Sequence, residues 1–97
     1  MYYAFHPPYG IETITKILRT RAITVNEVVH LDLLPDTRWI IIRNVSNNPV
    51  YLGNETVLDT NGFVLKTDEF IGLNVMPTIN IYIFASSPTE IRVIEFA

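Results

Sequence analysis

The sequence predicts a small all-β domain: an antiparallel β-sandwich or jelly-roll-like small barrel with an extended N-terminal arm. Three observations point there. Short runs rich in Ile, Val and Tyr recur along the chain, and turn signals separate them roughly every eight to twelve residues. No stretch carries the uninterrupted three-to-four-residue period of an amphipathic helix.

The arm, residues 1–10, holds Tyr2, Tyr3, Phe5 and Tyr9 around Pro7-Pro8. Two prolines block both a helix and a central strand and favour an extended, polyproline-like path. Rings at this density predict a segment laid into a groove, on its own domain or on a neighbour, and the domain proper is assigned to residues 11–97. Thr13, Thr15, Thr20 and Thr24 favour extended chain over the short helical face that Ile14, Ile17 and Leu18 could make. Ile23, Val25, Val28, Val29, Leu31, Leu33 and Leu34 then read as a long or broken strand, ended by Pro35-Asp36.

Arg38 to Val45 is an apolar, β-branched run and predicts a central strand, with Trp39 in the core. Ser46-Asn47-Asn48-Pro49 is the clearest turn. Val50-Tyr51-Leu52 is a short strand stopped by Gly53-Asn54, and Asn61-Gly62 is a tight-turn dipeptide of the hairpin kind. Phe63-Val64-Leu65, the polar turn Lys66-Thr67-Asp68-Glu69, and a strand through Phe70, Ile71, Leu73 and Val75 follow. Pro77 ends that strand. Ile79, Ile81 and Ile83 alternate with Asn80, Tyr82 and Phe84; Ser86-Ser87-Pro88 is read as a turn; and Ile91, Val93 and Glu95 alternate with Arg92, Ile94 and Phe96 in a last strand.

The totals narrow the function. At 97 residues one core is expected, and only about two-thirds of a chain this short is buried on folding. Yet 48% of residues are hydrophobic and 18% charged, an apolar excess that predicts a subunit interface. The expectation is a homo-oligomer, with a trimer favoured. Net charge is −3, and no basic stripe of the nucleic-acid-binding kind stands out, so no nucleic-acid partner is expected. No apolar run reaches a membrane span, and the first residues lack the basic and apolar regions of a signal peptide, so no membrane partner is expected either.

Catalytic equipment is not legible. With no cysteine, and with His6 and His30 in different elements, no metal-ligand spacing forms. Asp68-Glu69 sits in a turn, and Glu55 and Asp59 lack the regular spacing of a calcium loop. Ser46, Ser86 and Ser87 lie in turns without a nucleophile elbow, and there is no glycine-rich phosphate loop. The expectation is no catalytic residue, no metal, no cofactor and no enzyme. Asn44-Val45-Ser46 and Asn54-Glu55-Thr56 match the short glycosylation pattern and are discounted. Trp39, Tyr51 and Tyr82 are the side chains that could stack on a sugar.

One segment carries more. Arg38-Trp39-Ile40-Ile41-Ile42-Arg43-Asn44-Val45-Ser46-Asn47-Asn48-Pro49-Val50-Tyr51-Leu52-Gly53 is followed by Asn61-Gly62-Phe63-x-Leu65, a polar turn, a strand, Ile81-Tyr82-x-x-Ala85-Ser86 and Ile91-Arg92-Val93-x-Glu95. Across residues 38–95 this order resembles a small β-module of virion structural proteins of tailed bacteriophages, where a strand leads into an Asn-x-Ser turn and then Val-Tyr-Ile-Gly. The resemblance implies a scaffold, with Asn44 and Ser46 bonding the turn backbone, Pro49 stiffening its exit and Gly53 supplying a positive φ. It departs at Lys66-Thr67-Asp68-Glu69, where Pro-Gly is usual, and in the arm.

What the resemblance implies is a virion protein assembled in the bacterial cytoplasm. The favoured station is capsid decoration, with the major capsid protein as partner. The alternatives are a neck, tail or fibre-attachment component, and a carbohydrate- or receptor-binding module.

Overall fold

The structure is a computed structural model that describes residues 16–76 and 79–97. Within them lie six strands and no helix: β1 (Ile17–Leu31), β2 (Trp39–Asn44), β3 (Val50–Gly53), β4 (Phe63–Leu65), β5 (Phe70–Asn74) and β6 (Ile81–Phe96). All pair antiparallel in one sheet that curls into a half-barrel, as the all-β expectation requires. The predicted arm, residues 1–10, lies outside the described residues together with Tyr2, Tyr3, Phe5 and Tyr9, as do residues 11–15.

The spine is β6. One of its edges pairs with β1 end to end, from Ile17 opposite Phe96 to Leu31 opposite Ile81. Its other edge is divided: β3 takes Tyr82 to Phe84 and β2 takes Ile91 to Phe96. Beyond them β4 extends β3 and β5 extends β2, giving the order β4-β3-β6-β2-β5. The chain therefore crosses twice between the halves, through residues 45–49 and 66–69.

The spine bends where its partner changes. Val25 opposes Thr89 and Glu27 opposes Ala85, so Asn26 alone faces Ser86, Ser87 and Pro88. The sequence reads Ser86-Ser87-Pro88 as a turn between strands; instead β6 runs through it as a bulge. Pro88 has no N–H to give, and a bulge is where a sheet tolerates that. Thr89 Oγ1 donates to the Ser87 carbonyl at 2.8 Å, and Glu27 opposite takes a φ of 61°. Because the insertion keeps parity, Ala85 and Thr89 both face inward and both are buried.

Period-two alternation then builds the core. From β6 come Ile81, Ile83, Ala85, Ile91 and Val93; from β2, Ile40 and Ile42; from β3 and β4, Val50, Leu52 and Leu65. Val25 and Leu31 of β1 and Val75, just past β5, complete it, with Ile71 and Leu73 of β5 half-buried at its margin. Each fully buried aliphatic side chain contributes about 1.5–3 kcal/mol.

Two further expectations are corrected. Asn61-Gly62 does not close a two-residue hairpin; it ends the loop 54–62 between β3 and β4, with Gly62 N–H donating to Leu58 O at 3.0 Å. Trp39 is not in the inward core. It stands opposite Phe96, and parity puts it on the outer face, where it is half-buried, because the inward positions of β2 belong to Ile40, Ile42 and Asn44.

Candidate interaction surface

One polar knot lies on the inner face. Glu95 continues the inward row of Ile91 and Val93, and its side chain is fully buried. Arg19, its cross-strand partner, donates from Nε to Oε2, and Arg21 Nη2 reaches the same oxygen at 3.1 Å. Oε1 accepts the Leu34 N–H at 2.9 Å and the Thr37 hydroxyl at 2.7 Å. Both guanidinium groups also donate to the Asp32 carbonyl, at 2.9 and 2.6 Å. The two ends of β1 are thus clasped across the bend.

Burial pushes the Glu95 carboxyl pKa up, but the Leu34 N–H, the Thr37 hydroxyl and Arg19 outweigh that and hold it below its ordinary value. A carboxylate with its oxygens taken by these donors is a structural anchor. The signal was in the sequence: a carboxylate on the apolar phase of a strand must find buried partners.

A second polar element joins the crossovers. Asn44 is fully buried; its Nδ2 donates to the carbonyls of Asn48 at 2.7 Å and Leu65 at 2.9 Å. Its Oδ1 accepts the Ser46 N–H at 2.9 Å, the Asx turn that the Asn-x-Ser pattern implies. Its backbone bonds the other crossover, accepting from Asp68 at 2.8 Å and donating to Glu69 at 3.0 Å. Ser46 is half-buried and Pro49 exposed at the turn's exit.

Gly53 does not take a positive φ. Its role is close approach: a Cβ there would stand 2.9 Å from Val57 Cγ2, and one on Gly62 would stand 2.5 Å from Tyr51 Cβ. The two glycines let buried Val57 fold onto β3. Among the described residues positive φ is found instead at Asp68 (64°), in the turn 66–69, and at Glu27 (61°).

The outer surface carries two apolar areas. On the β2 half, Ile41, Ile94, Phe70 and Phe96 line an open groove of about 620 Å³ with Arg43 and Arg92. These arginines stand directly opposite each other and are compensated by Asp68 at 3.6 Å and Glu90 at 2.7 Å. On the β3 half, His30 stacks on Tyr82 with centroids 4.8 Å apart, and Tyr51 leans on Phe84 at 6.4 Å. Tyr51 and Tyr82 share this patch, whereas Trp39 lies on the other half. Among the described residues no three His, Asp or Glu side chains gather to hold a metal ion.

The sheet edges differ. Next to the turn 66–69, β4 and β5 flank an open slot of about 610 Å³, with Phe63 60% and Phe70 37% exposed. β1 carries inward arginines and a bulge, whereas β5, Phe-Ile-Gly-Leu-Asn, carries no charge, proline or bulge. No protein-family model matches the chain, and comparison with curated proteins and with solved structures likewise finds no match.

Proposed function

We propose that the chain is a structural protein of a bacteriophage particle rather than an enzyme. Its proposed station is a decoration or minor capsid protein that binds the major capsid protein as a homo-oligomer. The observation that carries the reading is apolar surface placed at edges rather than in an enclosed cleft: Phe63 and Phe70 stand exposed at β4 and β5. Surfaces of this kind suit partner binding. The resemblance over residues 38–95 supplies the setting, and the aromatic arm, with Tyr2, Tyr3, Phe5 and Tyr9, supplies the proposed contact with a neighbouring protein.

Mass spectrometry of purified particles tests this. Hundreds of copies per particle are expected for decoration, and about six or twelve would instead mark a neck or tail component. Absence of the chain from particles would overturn the reading. Removal of residues 1–10 is expected to leave a folded domain that no longer binds.

The His30–Tyr82 and Tyr51–Phe84 patch favours one second reading, a carbohydrate- or receptor-binding module. Glycan binding by the purified chain that is lost in Tyr82→Ala and Tyr51→Ala would establish it.

A further inference from the structure

We infer that β5 is a self-pairing edge, on which two copies of this chain join antiparallel about a two-fold axis at Gly72. Unprotected edges are rare because they recruit strands, and natural sheets block them with charges, prolines, bulges or brevity. The other edges here are blocked in this way. β1 has the inward charges Arg19 and Arg21 and a bulge at Leu18, and β4 is three residues long. Only β5, among the described strands, has none of these.

Its pairing fixes which groups are available. Val75 N–H donates to Arg38 O at 2.8 Å, and Asn44 N–H donates to Glu69 O at 3.0 Å. In an antiparallel ladder the bonded positions alternate, so Ile71 and Leu73 turn their backbone groups toward β2. Phe70, Gly72 and Asn74 turn theirs outward.

The segment is complementary to itself. Placing Gly72 opposite Gly72 of the partner subunit sets Phe70 opposite Asn74 of the partner subunit, and the reverse. Three bonded pairs form, with about six hydrogen bonds between them. On the inner face Ile71 comes opposite Leu73 of the partner subunit. Both are half-buried in the single chain, and the pairing covers them. No like charges meet: Asp68 and Glu69 fall opposite Met76 and Val75 of the partner subunit. Met76, 67% exposed, is thereby delivered beside the slot lined by Phe63, Val64 and Phe70. Such a contact is isologous and closes at two copies, rather than at the three expected above. It holds whether or not the chain belongs to a phage particle.

The absence of cysteine makes a crosslinking test clean. In the proposed register the Gly72 Cα atoms of the two copies lie about 5.5 Å apart, within disulfide range. Gly72→Cys in the full chain, mildly oxidised, is expected to give a band at twice 11.1 kDa, which the exposed control Thr56→Cys does not. Sedimentation equilibrium of the unaltered chain is expected to show a monomer–dimer equilibrium. Asn74→Pro removes one outward N–H per copy without touching the β2 ladder, and is expected to weaken that equilibrium about tenfold at unchanged thermal stability. Phe70→Lys, which places a charge on the edge, is expected to act in the same direction.

Three results overturn the proposal: an unaltered chain that stays monomeric at millimolar concentration, dimers indifferent to both edge variants, or Gly72→Cys that crosslinks no faster than the control. A monomer that dimerises only once residues 1–10 are removed would assign the edge to the arm.

Discussion

The Asn44 side-chain amide donates to the Leu65 carbonyl at 2.9 Å and so ties the end of β2 to the end of β4. These strands belong to different halves of the sheet and never pair. The bond, with those to Asn48 O and from Ser46 N–H, holds both crossovers in register.

Asn44→Ala is therefore expected to cost about 1–3 kcal/mol, since the buried Leu65 carbonyl is left without a partner and the part-buried Asn48 carbonyl and Ser46 N–H lose theirs. Asn44→Asp keeps the acceptor for Ser46 but turns a carboxylate toward two carbonyl oxygens. Chemical denaturation at neutral pH should find it no more stable than the alanine variant. An Asp variant near wild-type stability would remove Asn44 Nδ2 from its assigned role.

Glu95 gives a pH prediction. Its carboxyl pKa is lowered in the folded chain, so below its ordinary value of 4.5 the unfolded chain takes up a proton that the folded chain resists. The stabilisation is complete above that value and is lost as pH falls through the lower folded value. Glu95→Gln is expected to cost about 2–4 kcal/mol at neutral pH, because Arg19 and Arg21 keep their charges without the anion. Its stability should fall less steeply in acid than that of the unaltered chain, as read by thermal melts between pH 6 and pH 2.

The glycines in loop 54–62 predict a coupling. Gly62→Ala meets Tyr51 Cβ, which cannot swing away, and should cost about 1–3 kcal/mol. Gly53→Ala meets the methyl end of Val57, so Val57→Ala should relieve part of its cost. A double-mutant cycle checks this: strict additivity of Gly53→Ala and Val57→Ala would mean that the loop does not pack on β3.

Backbone strain separates two acidic residues. Glu27 holds a φ of 61°, a region costly for a side chain of its kind, and Glu27→Gly should stabilise by about 0.5–1 kcal/mol. Asp68 holds 64° but tolerates the region better and sits 3.6 Å from Arg43, so Asp68→Gly should be near neutral. Denaturant midpoints of the two variants, measured side by side, distinguish them.

Much of this architecture was legible in the residues. A continuous β-branched run placed β2, turn residues set off β3 and β5, period-two alternation placed the halves of β6, and Asn44-Val45-Ser46 announced an Asx turn because an amide side chain so placed reaches the backbone two residues on. The misreadings share a cause. Ser86-Ser87-Pro88 has turn composition, and only the strand opposite decides whether such residues reverse the chain or bulge within it. Gly53 and Gly62 are needed for the space beside them, which depends on where Val57 lands.

By itself, then, the sequence determined the all-β class, most of the strands and the apolar excess, because alternation and turn chemistry act over a few residues. The tertiary structure alone decided that Glu95 faces two arginines from the other end of the chain, that β6 is the shared spine, and that β5 is left as the unblocked edge. Those facts depend on pairing between segments as far apart as Ile17 and Phe96, and no local pattern encodes which strand will lie beside which.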